Sequence, residues 1–143
     1  MIMRKYIRIP GLLLLVCLIS FTSCEDDDLD GLFGDPVEKF LGDWKCFETG
    51  DLQGPFGPYD VKIVRNPGNS TEVLIKNFNY QGMNESARAI IAGNTISIPR
   101  QKICDETIDI QGSGTFKDGE INLTYKTNDG ADEENIVSRF YKP

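Results

Sequence analysis

The feature that most constrains this chain is a period-two alternation of apolar and polar residues, repeated from residue 44 to its end. In YDVKIVR (59–65), Tyr59, Val61 and Ile63 share one face. In TISI (95–98), Ile96 pairs with Ile98; in TIDIQGSGTF (107–116), Ile108, Ile110 and Phe116 align; in INLTY (121–125), Ile121, Leu123 and Tyr125 do the same. Successive side chains of a strand point to opposite faces, so this spacing suits half-buried strands and not a helix of period 3.6. TEVLIKNFNY (71–80) is apolar on both faces, which predicts a central strand. With WKCFE (44–48), RAIIA (88–92) and IVSRFY (136–141), the total is about eight strands. Turn formers separate them: Asn66-Pro67-Gly68-Asn69, Gly93-Asn94, Asp118-Gly119 and Asp129-Gly130. Such punctuation predicts hairpins, with longer connections expected only near 49–58 and 99–106.

An open antiparallel meander of this size would leave one face wet and two edges unpaired. Closure into a small β-barrel, or division into a β-sandwich, removes both problems. Gly112 and Gly114 lie on the same face as Ile110 and Phe116. Missing side chains there permit a bend or close packing at a corner. Ahead of the first strand, DPVEKFLG places Asp35 to cap and Pro36 at a first helical position. Val37, Phe40 and Leu41 follow at i, i+3, i+4, and Gly42 ends the segment. One or two helical turns are expected.

The amino-terminal residues carry a different signal. MIMRKYIRIPG is short and basic, LLLLVCLISF is apolar, and TSC supplies small residues and a cysteine. That order describes a secretory signal, and the apolar run is shorter than the roughly 18–20 residues of a membrane span. The FTSC stretch resembles the lipobox of bacterial lipoproteins, with Phe21 where leucine is usual. The resemblance implies cleavage before Cys24, lipidation of its sulfur and attachment to a membrane through the lipid. Glu25, Asp26, Asp27 and Asp28 resemble the export signal of Bacteroidetes surface lipoproteins, which implies display on the outer membrane; a solvated tether is the other reading. The chain thus divides into a signal at 1–23, an acidic tether at 24–36 and a β-domain at 37–143. Asp26 to Gly31 also matches the first half of a calcium loop, but Val37 stands where its bidentate acid belongs.

Charge and composition exclude several functions. The chain carries −7, and −10 once Arg4, Lys5 and Arg8 leave with residues 1–23. An acidic body repels phosphate backbones, so no nucleic-acid partner is expected. There is no histidine, which removes imidazole-based metal sites and catalytic triads. Neither a cofactor nor a metal site is expected.

Gly42-Asp43-Trp44, preceded by a helical turn, resembles the GxW signature that opens lipocalin and related calycin barrels. The resemblance implies that Trp44 sits at the closed end of the barrel, with an arginine from the last strand across its ring; Arg139 is placed for that part. Lys76-Asn77-Phe78, Ile98-Pro99-Arg100-Gln101, Gly112-Ser113-Gly114 and Tyr125 extend a similarity to small lipocalin-like lipoproteins of Bacteroidetes. The domain is shorter than a typical lipocalin, and a barrel this small suits filling by its own side chains.

Cys46 and Cys104 remain in the domain, and an oxidising compartment makes their pairing the expectation, with two separate buried thiols the alternative. For function, the first reading is a non-catalytic module binding a small apolar molecule or a glycan. Phe56 and Tyr59 of GPFGPY, with Phe78 and Tyr80, are the candidate contacts. The second is an acidic surface that docks a basic protein. The third, disfavoured, is an enzyme using a carboxylate pair from Asp105, Glu106 and Asp109.

Overall fold

The computed structural model describes residues 34–143. Residues 1–33, including Cys24 and nearly all of the acidic tether, lie outside the described part. Eight strands follow in meander order: β1 (Gly42–Gly50), β2 (Gly54–Asn66), β3 (Asn69–Lys76), β4 (Ser86–Ala92), β5 (Thr95–Ile103), β6 (Ile108–Lys117), β7 (Glu120–Asn128) and β8 (Glu133–Tyr141). Each pairs antiparallel with the next, and β1 pairs with β8 as well as β2, from Lys45 opposite Tyr141 to Gly50 opposite Ile136. The sheet is therefore a closed barrel, the first of the two closures the alternation allowed.

Alternation decides what fills it. On β1, Trp44, Cys46 and Glu48 point inward; on β2, Tyr59, Val61 and Ile63; on β7, Ile121, Leu123 and Tyr125; on β8, Ile136, Ser138 and Phe140. With Val73, Ile75, Ile91, Ile96, Ile98 and Ile110, they form one continuous buried core. Gly114 lets β6 press against β7, because an added Cβ would meet Leu123 Cα at 2.8 Å and collide with the Asn122 carbonyl. Gly112 opposes Tyr125 in the same register. The expected tight corner is at these two glycines.

Three local expectations change. The strand drawn over 71–80 ends at Lys76, because Asn77, Asn79 and Tyr80 adopt left-handed backbone and 78–80 form a 3-10 turn. The long connection is thus 77–85. The stretch expected as a loop near 49–58 is mostly strand, since β2 begins at Gly54 and the turn is only 51–53. Likewise β5 runs on to Ile103 through a register shift between Ile98 and Gln101. The helical segment before β1 is a single 3-10 turn, Glu38–Phe40, and Asp35 Oδ1 accepts the Val37 N–H at 2.9 Å.

An up-and-down meander sorts its connections to two ends. The 3-10 turn and the short turns at 67–68, 93–94 and 118–119 gather at one end. The connections 51–53, 77–85, 104–107 and 129–132 gather at the other.

Candidate functional site

The first of these ends is closed by aromatic packing. The Trp44 indole N–H donates to the Phe40 carbonyl at 2.8 Å. Phe116 stands edge-on to both Phe40 and Trp44, with ring centres 5.5 and 6.4 Å away. Trp44 therefore packs at the end that carries the short turns. Arg139 does not take its place over the ring. Phe140 and Ser138 face inward on β8, so Arg139 between them faces outward, where it lies 5.3 Å from the Tyr141 ring. Lys142 fills the role instead: its Nζ sits 3.8 Å from the Trp44 ring centre and donates to the Leu41 carbonyl at 2.8 Å.

The second end is open and built otherwise. Glu48 continues the inward parity of Trp44 and Cys46, which carries its carboxyl into the barrel mouth with 1% of the residue exposed. The Tyr125 hydroxyl donates to Glu48 Oε1 at 2.6 Å, and Cys46 Sγ lies 3.7 Å from the same oxygen. Asn79 Nδ2 donates to the Tyr125 hydroxyl at 3.0 Å. Tyr59, 6% exposed, brings its hydroxyl beside Cys46, Glu48 and Tyr125. That hydroxyl makes no hydrogen bond among the described residues. Burial raises the Glu48 pKa above its ordinary 4.5, although the Tyr125 hydrogen bond opposes the shift. Burial, reinforced by the Glu48 charge, likewise pushes the Cys46 thiol well above the usual range, which makes it a poor nucleophile.

The surrounding loops are tied down by side chains. Asn77 Nδ2 donates to the Asp60 carbonyl at 2.6 Å, while its Oδ1 accepts the Gly82 N–H at 2.7 Å. Glu134 Oε1 accepts the N–H groups of Leu52 and Gln53 at 3.1 and 2.8 Å, which fixes the β1–β2 turn against β8. Of the seven non-glycine residues at positive φ among the described residues, six lie at this end: Asn77, Asn79, Tyr80, Cys104, Asp105 and Glu106. Left-handed backbone is uncommon for such residues and clusters where a fold serves something besides its own stability.

Of the four aromatic contacts proposed from sequence, three come together. Phe56, Tyr59 and Tyr80 have ring centres 5.1–5.7 Å apart. A register shift in β1 and β2, between Cys46 and Glu48, brings Phe56 round to the side of Tyr59. At that point Gly57 passes so close to Cys46 that an added Cβ would lie 2.7 Å from its carbonyl oxygen. Phe56 and Tyr80 stay 39% and 61% exposed. Phe78 departs from the expectation: it is buried 4.5 Å from the Tyr125 ring and closes the core beneath the mouth.

Two adjoining clefts lie over this floor. One, of about 280 Å³, is lined by Glu48, Gln53, Phe56, Asn79, Tyr80 and Gln81. The other, of about 420 Å³, shares Gln53, Asn79 and Gln81 and extends to Thr127, Asp129, Asp132 and Glu134. Among the described residues, four carboxylates border the pair of clefts, and no lysine or arginine does. Sequence reasoning missed Glu48, Gln53, Asn79 and Gln81. For Glu48 the signal was present, because the alternation through Trp44 and Cys46 reaches it next.

The expected Cys46–Cys104 pairing is not made; both are free thiols. Strands β1 and β5 stand on opposite sides of an eight-strand ring, and Cys46 turns to Glu48 while Cys104 Sγ lies 3.3 Å from Gln81 Oε1. The acids weighed for catalysis are dispersed. Arg100 holds Asp109 by two nitrogens, at 2.8–3.2 Å, on the outer wall, and Asp105 and Glu106 are exposed in the 104–107 turn. Among the described residues no group of His, Cys, Asp or Glu is placed to hold a metal ion. Neither models of known protein families nor the curated proteins give a match to this chain.

Proposed function

We propose that this chain is a non-catalytic binding module of the cell envelope, anchored through a lipid on Cys24, that holds a short carbohydrate at the open rim of its barrel. The observation that carries the reading is the exposed Phe56 and Tyr80 rings beside a cleft lined with the side-chain amides of Gln53, Asn79 and Gln81. Aromatic faces suit the C–H faces of a sugar ring, and amides supply both donors and acceptors to its hydroxyls. A core filled by Ile, Val, Leu and aromatic side chains favours this rim over an interior pocket for an apolar molecule. Open clefts of about 280 and 420 Å³ match the size of small-ligand sites.

Calorimetric titration of the mature chain with neutral and charged oligosaccharides tests the binding. Heat of binding that disappears in Tyr80→Ala is the expected result, and its absence for every saccharide overturns the reading. The anchor is tested separately by metabolic labelling with a fatty acid. Label should enter the wild-type chain and not Cys24→Ala. Protease treatment of intact cells should then remove the domain if it faces outward.

A further inference from the structure

A buried carboxyl is costly unless a cation or enough hydrogen bonds compensate it. Glu48 has neither in full. Both of its hydrogen bonds, from Tyr125 and Cys46, fall on Oε1. Among the described residues no ion pair includes it, although seven other pairs form between Lys or Arg and acids elsewhere. Glu48 also lines the floor of the aromatic cleft, with 1% of the residue exposed.

A second observation points the same way. The Tyr59 hydroxyl is buried close to the Glu48 carboxyl yet, among the described residues, is not in hydrogen-bond geometry with any partner, whereas buried polar atoms are normally paired. Its own ring stands edge-on to the Tyr80 ring at 5.3 Å, so the orphan hydroxyl and the rim aromatics belong to one wall. What is missing from this floor is a donor with several N–H bonds and positive charge. A primary ammonium carries three donors and no acceptor. From the cleft it would meet Glu48 Oε2, with the Tyr59 hydroxyl buried beside that carboxyl, and aromatic faces attract cations. The bordering carboxylates, which form no ion pair among the described residues, favour the same charge.

We propose that the open-end cleft is selective for a sugar bearing a free amine, with the ammonium seated on Glu48 beside the Tyr59 hydroxyl. This rests on the carbohydrate reading above and assigns its ligand class. Acetylation of the amine would remove both the charge and two of the donors, and a plain hydroxyl in its place would offer one donor.

Calorimetry on the mature chain with four probes tests it: a glucosamine trimer, its fully N-acetylated form, a glucose trimer and a lysine trimer. The glucosamine trimer should bind about ten- to a hundred-fold more tightly than the other two sugars, the range expected for hydrogen bonds to a charged group. Glu48→Gln, an isostere whose folding is checked by circular dichroism, should erase the difference between the sugars. Tyr59→Phe should narrow it. Equal affinity for all three sugars, or a preference that survives Glu48→Gln, overturns the amine inference and leaves the carbohydrate reading intact. A lysine trimer that binds as well as the glucosamine trimer and ignores Tyr80→Ala overturns both, in favour of a basic protein partner.

Discussion

The two ends of this barrel are made by one meander, yet they obey different rules. At the closed end every notable polar atom has a partner. The Trp44 N–H meets the Phe40 carbonyl, the Lys142 ammonium meets the Leu41 carbonyl and the Trp44 ring, and aromatic edges meet aromatic faces. At the open end, among the described residues, a carboxyl is buried without a cation, a phenol is buried without a partner, and six residues hold left-handed backbone. Agreement between local chemistry and fold marks a region selected for stability, and its local failure marks a region selected for something else. The contrast gathers the unmet polar groups and left-handed backbone at the mouth and the satisfied packing at the base, which is why the proposed ligand is assigned to the mouth.

The largest effect should come from breaking the base. Trp44→Ala removes a fully buried ring and should cost about 3–5 kcal/mol, read as a lowered midpoint of denaturant unfolding. A loss below about 1 kcal/mol would deprive the closed end of its anchoring role.

The mouth should respond with the opposite sign. Glu48→Gln replaces an ionisable buried group by a neutral one of the same shape and should stabilise the protein by about 1–3 kcal/mol at neutral pH. The folded-state pKa of Glu48 lies above the unfolded one, so the wild type's contribution from this group is most favourable below about pH 4.5 and is lost as pH rises through the raised value. The stability gap between Glu48→Gln and wild type should accordingly widen from acid to neutral pH. A gap that is constant with pH would mean that Glu48 is already compensated.

A smaller test concerns the cation over Trp44. Lys142→Gln should cost about 0.5–2 kcal/mol, the range of a cation–π contact. Arg139→Gln, which leaves only an outward-facing side chain, should stay within about 0.5 kcal/mol. Reversal of that order would restore Arg139 to the place the calycin resemblance implied.

The barrel itself was legible because strand parity is a local property with a period of two. Each apolar residue at 59–63, 96–98 and 121–125 announces its own face, and Asp118-Gly119 or Gly93-Asn94 announces the next turn. The site was less legible because it depends on exceptions to that rule. The alternation on β3 stops at Asn77, whose left-handed backbone and paired amide turn the chain away from the strand. Phe78 consequently enters the core while Tyr80 reaches solvent, a division that the run KNFNY does not reveal. The choice of Lys142 over Arg139 follows from parity at Phe140, which the sequence contained, and from the path of the residues after β8, which it did not. Cys46 and Cys104 read as a pair from their number and the expected oxidising compartment; only the strand order puts them across the ring from each other.

The central claim is that ligand meets the mouth and spares the base. It is tested most directly by following backbone amide NMR shifts of the mature chain as the glucosamine trimer is added. Shifts should concentrate in residues 48–56, 77–85 and 127–134 and be absent from residues 37–44 and from the turns at 93–94 and 118–119. Shifts centred on the closed end or on the outer wall at Arg100 and Asp109, or no shifts at saturating trimer, would contradict it.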